Sequence, residues 1–152
     1  FPIDTSDEDI GIYINDAIVR CLAGVAREER PLFLKMQYNG ARAMAELAAY
    51  DPENLIVGIL GGSAGTARDT FELISQAERF GARVALFGRK IYFAEDSMEI
   101  VRSMRRVVQG ELSPTEAVKA YHDHIGKAGL TATRSLEDDL QVTDPILVSE
   151  AQ

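Results

Sequence analysis

Three apolar runs constrain this chain more than any other feature: residues 32–40 (LFLKMQYNG), 55–66 (LIVGILGGSAGT) and 83–90 (RVALFGRK). Each is short, bounded by turn residues, and separated from the next by an amphipathic segment. Such runs read as buried strands, and connections this long suit parallel crossovers rather than hairpins. The pattern predicts a βαβαβ arrangement with strands near 32–38, 55–60 and 83–88. Parallel strands bring their C-terminal ends side by side, where α/β folds carry out chemistry.

Helices fill the rest of the reading. Thr5 or Ser6, followed by Glu8 and Asp9, predicts a capped helix over about residues 6–29. Ile10, Ile14, Ala17, Ile18, Cys21, Leu22 and Val25 recur at helical spacing and are expected to form its buried stripe. A short helix is expected over 41–50, and Thr66 with Asp69 caps another that runs to about residue 80, with Gly81 as its C′ residue. Residues 95–109 predict a helix that buries Met98, Val101, Met104 and Val108 and solvates Arg102, Arg105 and Arg106. Gly110 stops it, and Ser113-Pro114-Thr115-Glu116 starts one more helix, ending near 126–129. Residues 1–129 therefore form one α/β unit. Beyond residue 130 the periodicity fades, and 130–152 are expected to be a tail or arm ordered only against a partner.

Composition excludes several classes of function. At 46% hydrophobic residues, 152 residues suffice for a real core, and a net charge of −8 argues against a nucleic-acid or anionic-membrane surface. No run reaches the roughly 18 apolar residues of a membrane span. Cys21 is the sole cysteine, expected to be a small buried hydrophobe in a reducing, cytoplasmic setting. The start at Phe1, in a Phe-Pro turn, suggests a processed or partial polypeptide. His122 and His124 point in different directions on a helix, so they are expected to be exposed, and no metal or cofactor site is predicted.

Three constellations carry chemistry. Lys35 stands among Leu32, Phe33, Leu34 and Met36, where it either snorkels from the strand end or holds a desolvated, nucleophilic amine suited to Schiff-base formation. GGSAGT (61–66) lies between strand and helix, where glycines serve either a tight turn or an anion approaching backbone N–H groups. No Gly-Lys-Ser/Thr is present, so this is not a Walker loop. Gly88, Arg89 and Lys90 end the third run, as a charged strand exit or a second anion contact.

At these runs the sequence resembles the class I aldolases of the deoxyribose-phosphate and archaeal-type fructose-bisphosphate aldolase superfamily. Lys35-Met36-Gln37-Tyr38-Asn39-Gly40 is similar to the family's strand-6 lysine motif, Gly61-Gly62-Ser63 to its phosphate loop, and Gly88-Arg89 to the end of its eighth strand. The resemblance implies the C-terminal part of a (β/α)8 TIM barrel, about three βα units plus an extra C-terminal helix. It implies a lyase of carbohydrate metabolism in which Lys35 forms an imine with a phosphorylated ketose or related sugar phosphate, with Tyr38 as a second catalytic residue. Gly61, Gly62, Ser63, Gly88 and Arg89 would hold the substrate phosphate. No lysine occupies 58–60, which departs from the deoxyribose-phosphate branch. A barrel needs ~250 residues, so the N-terminal half of the barrel or another chain is the implied partner, in a homo-oligomer.

Two alternatives stay open. The stretch 59–90 also resembles the opening of NADP-dependent short-chain dehydrogenases, although Leu60 stands at the first fingerprint glycine and Ile125, four residues after Tyr121, replaces the expected lysine. The other is a non-catalytic barrel relative that binds phosphorylated ligands through a structural lysine.

Overall fold

The computed structural model describes residues 4–61 and 65–151. It is an α/β protein that divides into two compact units, residues 1–60 with 77–86, and residues 61–76 with 87–152.

The first unit holds a three-stranded parallel sheet, β1 (Phe33–Met36), β2 (Ile56–Leu60) and β3 (Val84–Leu86), in the order β1-β2-β3. Register pairs Lys35 with Gly58, Gly58 with Val84 and Leu60 with Leu86. The strands lie inside the expected spans and are shorter at most ends. Helix α1 (Asp7–Ala23) opens at Ser6, whose hydroxyl accepts the Asp9 N–H at 3.1 Å, and Asp7, Glu8 and Asp9 face the positive end of the helix dipole. Helix α2 spans Ala41–Tyr50, as the sequence predicts, and buries Ala43, Met44 and Leu47.

The expected length and buried stripe of α1 are both corrected. The helix stops before Gly24, and Arg27–Glu29 form a separate 3-10 turn. Its buried residues are Gly11, Asn15 and Leu22, whereas Cys21, Tyr13 and Ile14 are exposed. The reason is close backbone approach: a Cβ on Gly11 would collide with the Asn39 carbonyl. Asn15 donates to the Ala43 carbonyl at 2.7 Å and accepts from Asn39 at 2.9 Å. This polar, glycine-centred contact, rather than the isoleucine stripe, orients α1 against α2.

Helix α3 (Ala67–Arg79) passes from the second unit into the first. It ends as predicted at Gly81, whose φ of +101° lets the Ala82 N–H reach the Ala77 carbonyl at 2.8 Å.

The second unit contains residues 67–76 of α3, with α4 (Arg89–Tyr92), α5 (Ser97–Val108), α6 (Pro114–Lys127), α7 (Leu136–Asp139) and α8 (Pro145–Val148). Its core joins Phe71 and Ile74 to Ile100, Met104 and Val107 of α5 and to Ala117, Val118, Tyr121 and Ile125 of α6. The buried face of α5 thus differs from the expected one. Met104 is buried, but Met98, Val101 and Val108 are exposed, because the helix turns Ile100, Ser103 and Val107 inward against α6. Helix α6 begins with the complete capping box of Ser113 and Glu116. Gly110 has φ of +72° where α5 ends.

The two histidines are partly buried acceptor-paired groups, not exposed ones. His122 Nε2 lies 2.9 Å from Asp139 Oδ2, and His124 Nε2 lies 2.8 Å from Asp96 Oδ2, the carboxylate that caps α5. Residues 130–151 are likewise bound within the chain: α7 and α8 are capped by Ser135 and Asp144, and Leu147 is buried. No helix among the described residues is long and apolar enough to cross a membrane.

Gly81→Ala places a methyl 2.6 Å from Ala48 Cβ at a left-handed φ. The variant is expected to lose about 1–3 kcal/mol of stability, read as a lower urea midpoint with an unchanged m value.

Candidate functional site

Two neighbourhoods hold the chemistry-bearing residues, one in each unit. In the first unit the sheet has two unlike faces. Met36, Val57 and Ile59 are buried, whereas the alternate positions Phe33, Ile56, Leu60 and Val84 each expose more than a third of their surface. Lys35 belongs to this open face, beside Gly58 in the register. A Cβ on Gly58 would strike the Phe33 ring, so glycine there lets the ring lie across the neighbouring strand. Lys35 is exposed; of the two states open to it, the amine in water is the one present. Its neighbours on the face are nevertheless apolar, so any layer laid over them desolvates the amine as well. Tyr38, two residues past β1, is buried at 3% exposure.

In the second unit a cavity of about 190 Å³ is lined by Gly61, Gly65, Asp69, Lys90, Thr143, Asp144 and neighbouring apolar residues. Asp69 organises it. Its Oδ2 accepts the Thr66 N–H at 3.0 Å and the Thr143 hydroxyl, and its Oδ1 accepts the Thr143 N–H at 2.7 Å and the Asp144 N–H at 3.2 Å. Burial alone would raise the Asp69 carboxyl, but these donors, led by Thr143, outweigh it and hold the group below the usual carboxylate range. The carboxylate also lies against Gly65, where a Cβ would overlap it. Gly61, at the other end of the glycine run, has no room for a Cβ because of the Phe87 ring.

Three N–H groups at the start of α3, those of Thr66, Ala67 and Asp69, are taken by side chains. Besides Thr66, the Ala67 N–H donates to Asp139 Oδ1 at 2.7 Å, the Asp69 N–H to Thr66 Oγ1 at 3.0 Å, and the Thr66 hydroxyl to the Gln141 carbonyl at 2.7 Å. Lys90 is the cation of this cavity: burial lowers its ammonium below the ordinary lysine range, with Asp69 and Asp144 opposing the shift. No hydrogen bond or ion pair to Lys90 is present among the described residues.

The expected site residues thus fall in different places. Lys35 and Tyr38 belong to the first unit; Gly61, Gly88 and Arg89 belong to the second. Gly62 and Ser63 lie outside the described residues. Gly88 caps the short α4 and, like Arg89, is exposed; the cavity takes Lys90 instead. Sequence reasoning placed Asp69 only as a helix cap and missed Thr143 and Asp144. The TDP sequence at 143–145 signals a helix start, but nothing local signals pairing across more than seventy residues. Among the described residues no group of three or more His, Cys, Asp or Glu could hold a metal. No protein-family model matches this sequence, and no curated protein matches it significantly.

Asp69→Asn keeps the shape and removes the charge that four donors address. At neutral pH it is expected to cost on the order of 2–3 kcal/mol. Because the folded-state pKa of Asp69 is lowered, its contribution is complete above the unfolded value of ~3.9 and is lost as pH falls through the folded value. Acid unfolding curves of the wild type and D69N should therefore converge at low pH, and a gap that stays constant would contradict the assignment.

Proposed function

We propose that this chain forms part of a class I aldolase, a carbon–carbon lyase acting on a phosphorylated ketose or related sugar phosphate. The observation that carries the reading is the open sheet face. A parallel sheet is normally covered on both sides, yet the uncovered face here is apolar apart from Lys35. Such a face suits the inner wall of a (β/α)8 barrel, where side chains from alternate positions fill the interior. Further strands, from the same polypeptide or another, would cover it and strip water from the amine.

Lys35 would then attack a substrate carbonyl as a neutral amine, and loss of water would give the imine. The protonated imine would accept the electron pair released when the adjacent carbon–carbon bond breaks. Phosphate would be held by backbone groups at residues 61–63 with Lys90, which shares the cavity with Gly61, while Gly88 and Arg89 would contribute from the following turn. The reaction needs no metal or organic cofactor. A cytoplasmic homo-oligomer completed by the remaining barrel strands is the form this reading implies.

The dehydrogenase alternative is disfavoured by the helix that follows the glycine run. A dinucleotide pyrophosphate needs free N–H groups at the start of such a helix, and here carboxylates and a hydroxyl of the chain take those of Thr66, Ala67 and Asp69.

Borohydride reduction in the presence of phosphorylated ketoses, followed by peptide mass mapping, tests the proposal. The expected result is a substrate adduct on Lys35 that is absent from Lys35→Met. Phosphate-dependent binding without an adduct would favour the non-catalytic relative, and NADP binding without an adduct would favour the dehydrogenase. Lys90→Gln should raise KM for the phosphorylated substrate about tenfold or more while changing kcat less.

A further inference from the structure

Helix α5 carries apolar side chains on two sides. Ile100, Met104 and Val107 lie in the core with α6, whereas Met98, Val101 and Val108 are exposed. Met98, Val101, Arg105 and Val108 recur at i, i+3, i+7 and i+10, the spacing of a stripe that packs along a second helix. Tyr92 and Phe93, 78% and 72% exposed, stand just before this helix, where the Ser97 hydroxyl donates to the Ile91 carbonyl at 2.8 Å. A helix that is apolar on both sides is built to be covered on both, and the described residues cover only the inner side of α5. Exposed apolar groups gathered at one helix mark an interaction surface.

Charge identifies what covers that surface. Arg102, Arg105 and Arg106 against Glu99 give α5 three cations to one anion, in a chain of net charge −8. Arg102 and Arg106 have acidic partners at 3.4 Å, Glu99 and Glu111, but Arg105, within the stripe, has no ion pair among the described residues. Two copies of this stripe would set arginine against arginine, so the face does not suit a two-fold contact with itself. Its complement is on α1. The first turn of α1 exposes Asp7, Glu8 and Asp9, and Asp16 is half-exposed beside Arg20. Tyr13 and Ile14 are exposed between these carboxylates, with Asp9 and Asp16 one helical turn before and after Tyr13. Helix α1 thus offers apolar side chains among anions, and α5 offers apolar side chains among cations. We propose that the outer face of α5 docks on α1 of a second copy of this chain, Met98 and Val101 meeting Tyr13 and Ile14, and Arg102 and Arg105 meeting Asp9 and Asp16. A contact between unlike patches, repeated head to tail, builds a ring or an open chain of copies. Neither patch includes Lys35 or its sheet face, so the inference goes beyond the aldolase reading and does not depend on it.

The test is sedimentation equilibrium of the full chain, comparing wild type with two charge reversals at these faces, Arg102→Glu with Arg105→Glu on α5, and Asp9→Arg with Asp16→Arg on α1. Circular dichroism establishes that each variant is folded, and Asp16→Arg alone takes the place of the α1 pair if the change at Asp9 disturbs the cap at Ser6. Wild type is expected to associate reversibly, and more weakly as salt rises. Each reversal alone should weaken association about tenfold or more, because it sets like charges against each other. An equimolar mixture of the two reversed proteins should recover association to within about threefold of wild type, since each reversed face then meets its opposite. Met98→Ser, at an exposed position, should weaken association without changing its salt dependence. A wild type that stays monomeric at the highest concentration reached overturns the proposal. So does association that neither reversal weakens, which places the contact elsewhere on the chain. Weakening by one or both reversals with no recovery on mixing also overturns it, because α5 would then meet a surface other than α1.

Discussion

A parallel sheet has two faces to cover, and the described residues cover one of them. On the buried side lie Met36, Val57 and Ile59, and α2, which packs against β2, turns Ala43, Met44 and Leu47 inward. On the other, Phe33, Ile56, Leu60 and Val84 remain partly in water with Lys35 among them. Leaving apolar side chains exposed forfeits ~25 cal/mol for each Å² that could have been buried. The energetic pressure to add a further layer is therefore built into the sheet. On the proposed reading, the same layer would exclude water from the Lys35 side chain, which imine chemistry requires. On that reading, stability and reactivity would both depend on the layer.

The second unit solves a different problem, holding the two ends of a glycine-rich run at Gly61 and Gly65. Glycine at 61 and 65 is required by crowding, from Phe87 and from the Asp69 carboxylate, so both ends of the run are packed tightly. Asp69 converts that packing into a rigid joint by accepting from Thr66, Thr143 and Asp144 at once. Asp139, shared between the Ala67 N–H and His122, makes a second joint between α3, α6 and α7. Within the acidic stretch 137–139, Asp139 is therefore buried and wired to α3 and α6, while Glu137 and Asp138 stay exposed.

The elements legible in the sequence were those decided by local chemistry. The apolar runs became parallel strands, Gly81 and Gly110 ended helices through positive φ, and the Ser113–Glu116 box formed as written. What the sequence hid was decided by partners far along the chain. The isoleucine stripe of α1 lost to Gly11 and Asn15 because Asn39 and Ala43 approach there, leaving Cys21 exposed. The paired histidines required Asp96 and Asp139, and the ordering of 130–151 required Asp69 and Gln76. At the candidate site the lysine strand and glycine run were readable from type and spacing. Lys90 displaced Arg89 from the cavity because the chain turns into α4 at Gly88, a change of direction that no periodicity reports.

The central claim is that the face bearing Lys35 is an interior wall, covered in the working enzyme. Hydroxyl-radical footprinting of the catalytically active assembly measures this directly, with labelling rates at Phe33 and Leu60 compared before and after denaturation. The account predicts strong protection of both residues in the active assembly, released on unfolding. Labelling of Phe33 and Leu60 in the active assembly at nearly the denatured rate would contradict it, because Lys35 would then be working from an open surface.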